Sequence, residues 1–150
     1  MRRNAGASGR LRGSSMIRRY LSGSGKVGTT LPIALAVRAG DYVFVSGQAA
    51  LGPHGAIIDG GIVAQTEETI RRIVAVLDEA GCTLADVVKV TVWIDDPRDF
   101  GPMNEVFRKY FGDAPPARST LVSPLVLDGK VEIEVMAYRP LKNEVAAGDA

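Results

Sequence analysis

The chain has a single cysteine, Cys82, and a single histidine, His54, among its 150 residues. One thiol excludes a disulfide within the chain and fits a reducing compartment. One thiol and one imidazole do not make a Cys/His metal site. No apolar run approaches the roughly 18 residues of a membrane span. Acidic residues are missing from residues 1–40, which hold 8 arginines and lysines; the rest carries 10 basic against 17 acidic side chains, beneath a net charge of only +1. The part expected to fold is therefore acidic, which argues against a nucleic-acid surface on it. P-loop and nucleophile-elbow glycine patterns are absent too, so neither a P-loop phosphate cradle nor a strained serine turn is encoded. His54 falls in the turn Gly52-Pro53-His54-Gly55, where exposure is expected, and Cys82 follows Gly81 at a helix end, where a small buried filler is expected.

What remains is enough for one domain with a real core. Residues 1–28 are rich in Gly, Ser and Arg with little apolar periodicity and read as a disordered basic arm. The same composition suits a mitochondrial transit peptide, or an extension ahead of a true start at Met16, the reading favoured here. The folded domain is expected over 29–142 and a flexible tail over 143–150. Leu35-Ala36-Val37, the turn at Ala39-Gly40-Asp41 and the run Tyr42–Gln48 predict two strands joined tightly. Gly47 at the exit of the second admits either a ligand close to the backbone or a simple bulge. A glycine-rich loop with a short strand at Ala56–Ile58 precedes a helix over Ile62–Ala80, whose apolar stripe is Ile70, Ile73, Val74 and Leu77, extended back to Thr66 and Val63. Val88, Val90, Val92 and Ile94 give the next strand one apolar face, while Lys89, Thr91 and Trp93 make the other mixed. Asp99 is placed as the cap of a second helix ending at Phe111, with Phe100, Met103, Phe107, Tyr110 and Phe111 as a core stripe and Gly112 as its stop. The class is α+β: a mixed sheet with two helices on one face and a half-apolar second face suited to packing copies of the chain together.

The densest chemistry lies in Pro115-Pro116-Ala117-Arg118-Ser119-Thr120 and Val131-Glu132-Ile133-Glu134-Val135. Two prolines fix the direction in which Arg118 emerges. With Asp128-Gly129 between the segments, an antiparallel pairing is expected that brings Arg118 near Glu132. A fixed cation beside a carboxylate suits a small anionic substrate and an activated water; from these short motifs alone a structural ion pair on a sheet surface is the favoured reading.

Five motifs in register resemble one family: Gly40–Gln48, Gln65-Thr66, Asp99-Phe100 to Asn104 to Tyr110-Phe111, Pro115–Ser119 and Val131–Glu134. Over about residues 31–140 the chain resembles the reactive intermediate deaminase (RidA/YjgF) family. The resemblance implies a chorismate-mutase-like fold, a homotrimer with sites between subunits, and hydrolysis of 2-imino acids and their enamine tautomers to 2-keto acids and ammonia without metal or cofactor. Such imines are released by pyridoxal-phosphate dehydratases. Arg118 matches the arginine that grips the substrate carboxylate, and Glu132 the carboxylate that positions the attacking water. Ser46, Gly47 and Asn104 match positions that line the site. Two positions depart from the pattern: Ile33 stands where such deaminases commonly carry tyrosine, and Thr120 where they often carry cysteine. Both are counted as substrate-binding, with a preference shifted toward bulkier side chains. The resemblance leaves two other readings open: a non-catalytic trimer binding keto or amino acids, and an endoribonuclease, which the acidic domain disfavours. No nucleic-acid or membrane partner is expected, and the expected compartment is the cytoplasm, or the mitochondrion if the chain is eukaryotic and its arm is a transit peptide.

Overall fold

The computed structural model describes residues 16–21 and 31–141. Most of the basic arm and the tail lie outside these residues. One mixed sheet has the order β1-β2-β3-β6-β4-β5, built from Ile17–Leu21, Ala34–Ala39, Tyr42–Ala49, Val87–Ile94 (β4), Ala117–Val122 (β5) and Val131–Tyr138 (β6). Helices α1, Ile62–Glu79, and α2, Phe100–Phe111, provide the second layer, and α1 packs on β3, β6 and α2. All strand neighbours are antiparallel except β4 and β5, whose parallel pairing is bridged by α2, the connection that parallel strands require. This is the α+β architecture expected from the sequence.

Alternation decides where the core lies. Val43 and Val45 of β3, Val90, Val92 and Ile94 of β4, and Val131, Ile133 and Val135 of β6 are buried against Ile70, Ile73 and Leu77 of α1 and Met103, Val106 and Phe107 of α2. The expected α1 stripe needs one correction: Val63 and Val74 are exposed, and Val76 takes a core position instead. At the end of α1, Gly81 has a positive φ of 72°, and the buried Arg38 guanidinium reaches over from β2 to donate to Ala80 O at 2.8 Å and Arg139 O at 3.0 Å. A cation there satisfies carbonyls that a helix end leaves open.

Other expectations change. The arm read as disordered contains β1, which pairs with β2 through residues Ile17 to Leu21; arginines at 18 and 19 masked a short edge strand whose Tyr20 packs against the core. Ala56–Ile58 is not a strand but a single bridge, Leu51 to Ile57. Asp99 does not cap α2 with its side chain, because the carboxylate accepts from Lys130 Nζ at 3.2 Å. Most consequential, β5 and β6 are not neighbours: β4 lies between them. Its Val90 and Val92 are fully buried, which suits a central strand, whereas β5, with Arg118 on its helix-side face, takes the edge. Residues 123–130 step across the end of β4, with Ser123 N donating to Ile94 O at 3.0 Å and Asp95 N donating to Lys130 O at 3.2 Å. Buried Gln65 fastens the same region: its Nε2 donates to Ile58 O and Gly60 O, and its Oε1 accepts from Lys130 N at 2.8 Å.

Candidate active site

Strand register separates the two residues that the sequence reading joined. Arg118 lies opposite Val90 on β4 and so points to the helix side. Glu132 lies opposite Trp93, one face over, and shares the helix-free side with Glu134. Two strand spacings and three residue steps put their Cα atoms on the order of 14 Å apart. Neither residue forms an ion pair among the described residues, so the structural-pair reading does not hold within one chain.

Arg118 is half-buried and well held. Its Nη2 donates to Asn104 Oδ1 at 2.6 Å, and its guanidinium lies over the Phe107 ring at 4.7 Å and near the Phe100 ring at 5.8 Å. Phe100, Asn104 and Phe107 are spaced four and three apart on α2, which places them on one helix face. That spacing was a legible signal for an arginine platform, but it was read as core alone. Thr120, half-buried, follows Arg118 on the same face, opposite Val92. Burial pushes the Arg118 pKa down, yet a guanidinium stays charged in a protein. A partly desolvated cation whose own-chain partners are a neutral amide and aromatic rings gains from an incoming carboxylate, which its planar fork grips in two places.

Glu132 is the second centre. The β3–β6 register shifts between Val45 and Gln48, so Gly47 sits in a bulge, and the Glu132 side chain lies across it: a methyl added at 47 would overlap the carboxylate and come within 3.1 Å of Cδ. The bulge reading of Gly47 is met, and the space beside its backbone is taken by the Glu132 side chain. Burial first, then the charge of Glu134, push the Glu132 pKa up. Ser46 Oγ donates to Ala34 O at 2.7 Å, fixing its hydroxyl beside Ile33, whose side chain is exposed at 49%. The expected site residues thus form two clusters, Asn104, Arg118 and Thr120 on one face and Ile33, Ser46, Gly47 and Glu132 at another place. His54 is exposed and Cys82 buried, as expected. Among the described residues no three His, Cys, Asp or Glu side chains gather as a metal site, and no helix is long and apolar enough to cross a membrane.

The Endoribonuclease L-PSP family model matches residues 26–139, and the chain belongs to this YjgF/RidA family. It is 46% identical over 110 residues to a RutC family protein of Pyrococcus abyssi, covering 72% of this chain and 87% of that one. It is 35% identical over 128 residues to the mouse 2-iminobutanoate/2-iminopropanoate deaminase, covering 84% and 95%. The crystal structure of RidA from an Antarctic Psychrobacter superposes with a TM-score of 0.73 at 33% identity, over 81% of this chain and 99% of that one. Yeast Mmf1 superposes at 0.75 with 28% identity, over 82% and 98%.

Gly47→Ala tests the bulge directly. The clash falls on the flexible end of Glu132, so unfolding free energy in urea is expected to fall by less than about 1.5 kcal/mol, while the NMR titration of the Glu132 carboxylate shifts. A titration curve identical to wild type would show that Gly47 does not set the carboxylate's place.

Proposed function

We propose that the chain is a cofactor-independent deaminase of reactive 2-imino acids, with its site assembled between copies. The observation that supports this most is the separation just described: Arg118 and Glu132, each half-buried, form no ion pair among the described residues and lie on opposite sheet faces. Packing the β5 edge of one copy against the helix-free face of the next brings one copy's Arg118 to another's Glu132. The helix-free face suits such packing, because Tyr42, Phe44 and Tyr138 are exposed on it at 43, 42 and 42% and lie together, with the Tyr42 and Tyr138 rings 5.1 Å apart. An exposed aromatic cluster of this kind marks an interaction surface. A closed ring of three copies is the proposed assembly.

In this reading Arg118 holds the substrate carboxylate, with Asn104 and Phe107 keeping the guanidinium in place and Thr120 beside it. Glu132 accepts a proton from water as the water oxygen bonds to the imine carbon, and the C=N electron pair passes to nitrogen, which takes a proton. The carbinolamine then collapses: its hydroxyl proton leaves, the C=O bond forms, the C–N bond breaks, and ammonia departs with the proton that Glu132 returns. One water is consumed, and a 2-keto acid and ammonia result. Ser46, Gly47 and Ile33 line the carboxylate side. The deaminase relatives support this chemistry. Ile33 favours one rival, a trimer that binds keto or amino acids without turnover, since it supplies no hydroxyl. The family model's description names an endoribonuclease; the excess of acidic over basic residues in 41–150 counts against RNA binding there.

The test is release of keto acid and ammonia from freshly generated 2-iminopropanoate and 2-iminobutanoate. Wild type is expected to accelerate both, and Arg118→Ala to lose on the order of 100-fold in kcat/KM. No acceleration by a folded, oligomeric wild type would move the reading to the binding protein.

A pH profile tests the role of Glu132. The base works ionised, and Glu134 raises its pKa, while Lys89, bonded to Ser119 Oγ at 3.0 Å, is a cation on the same face. Glu134→Gln removes a repulsion, so the acid limb of kcat/KM is expected to move to lower pH. A limb that stays put or moves up contradicts a catalytic Glu132 tuned by its neighbour.

A further inference from the structure

Beside Arg118 lies an open cavity of about 480 Å³ lined by Asn104, Phe107, Phe111, Pro115, Pro116 and the arginine itself, with Arg108 and Gly112 at its margin. Its walls are graded. The guanidinium and the Asn104 amide stand at one end. Phe107 and Phe111 stack at 5.4 Å with 27° between their planes, and Pro115 and Pro116 add further apolar lining. Arg108, also on the lining, is exposed and pairs with Glu105 at 2.6 Å. No carboxylate lines the cavity. A ligand that fits has an anionic head and a large apolar body. The volume lies within the range of about 300–1,000 Å³ typical of pockets for drug-sized ligands; a carboxylate with a methyl or ethyl group leaves most of it empty.

We infer that this groove receives the substrate side chain, and that the preferred substrates are 2-imino acids with large apolar side chains, of leucine or phenylalanine size. The inference rests on Arg118 as the carboxylate anchor and deepens that reading. Arg118 lies against Phe107, so a carboxylate held on the guanidinium has its α-carbon at the mouth of the aromatic wall. Phe111, Pro115 and Pro116 then act as specificity residues rather than catalytic ones.

The experiment uses the full chain and 2-imino acids generated in situ from alanine, leucine and phenylalanine by an amino-acid oxidase, with keto-acid release as readout. An apolar pocket distinguishes substrates by about 10-fold or more per methylene, so kcat/KM for the leucine- and phenylalanine-derived substrates is expected to exceed that for the alanine-derived one by at least about 10-fold. Phe111→Ala is expected to lower this ratio about 10-fold. Pro115→Ala, at an exposed position where unfolding is not an issue, lowers it in the same direction. Hydrolysis of all three with no preference for size, or a ratio untouched by both variants, overturns this inference and leaves the deaminase reading standing. A Phe111→Ala chain whose assembly state changes while the ratio holds identifies the groove as a seat for another copy, and also overturns it. Failure to accelerate any of the three removes both readings together.

Discussion

The two-residue alternation of a β-strand governs this molecule's chemistry. Counted across the shared neighbour β4, Arg118 falls in step with Val90 and Glu132 with Trp93, and these two β4 positions face opposite ways. A one-residue slip of β6 would turn Glu132 to the other face and expose Val131, Ile133 and Val135, which are buried. The apolar core therefore fixes the separation of the charges. Among the described residues neither charge forms an ion pair, which keeps both available to something else.

Keeping a charge half-buried and unpaired costs stability, and the surrounding residues limit that cost. On the helix side Asn104 and the Phe107 ring take up part of the guanidinium's bonding capacity without opposing its charge. On the other side Gly47 gives up its side chain so that the Glu132 carboxylate can lie against the bulge. Each arrangement holds a charged group in one orientation before any ligand arrives, which is the preorganisation that electrostatic catalysis draws on.

Much of this was legible from local pattern. The period of α1, the apolar faces of β4 and β6 and the Gly81 and Gly112 stops are all short-range signals, and the structure follows them except at Val63 and Val74 of α1 and at Val88 of β4, which are exposed. Strand order was not legible: Asp128-Gly129 resembles a hairpin turn, and only the complete burial of Val90 and Val92 shows that β4 claims the seat between β5 and β6. Pairing of β1 with β2 has no short-range signal, because Arg18 and Arg19 dominate a strand of five residues. The candidate site was legible as residue types but not as geometry, since Arg118 and Glu132 looked adjacent and are not. Asn104 was identified by family resemblance; its bond to Arg118 and the Phe107 platform needed the packing of α2 on β5, which no local pattern reports.

The claim that one copy supplies Arg118 and another Glu132 is tested most directly by mixing two inactive variants, Arg118→Ala and Glu132→Gln, after dissociation and reassembly together. In a closed ring each site draws on two adjacent copies, so random mixing in equal amounts restores about a quarter of the sites to wild-type composition. Recovery of about a quarter of wild-type 2-iminopropanoate hydrolysis, absent when either variant is reassembled alone, is the predicted result. No recovery, with mixed oligomers shown to have formed, would contradict a shared site.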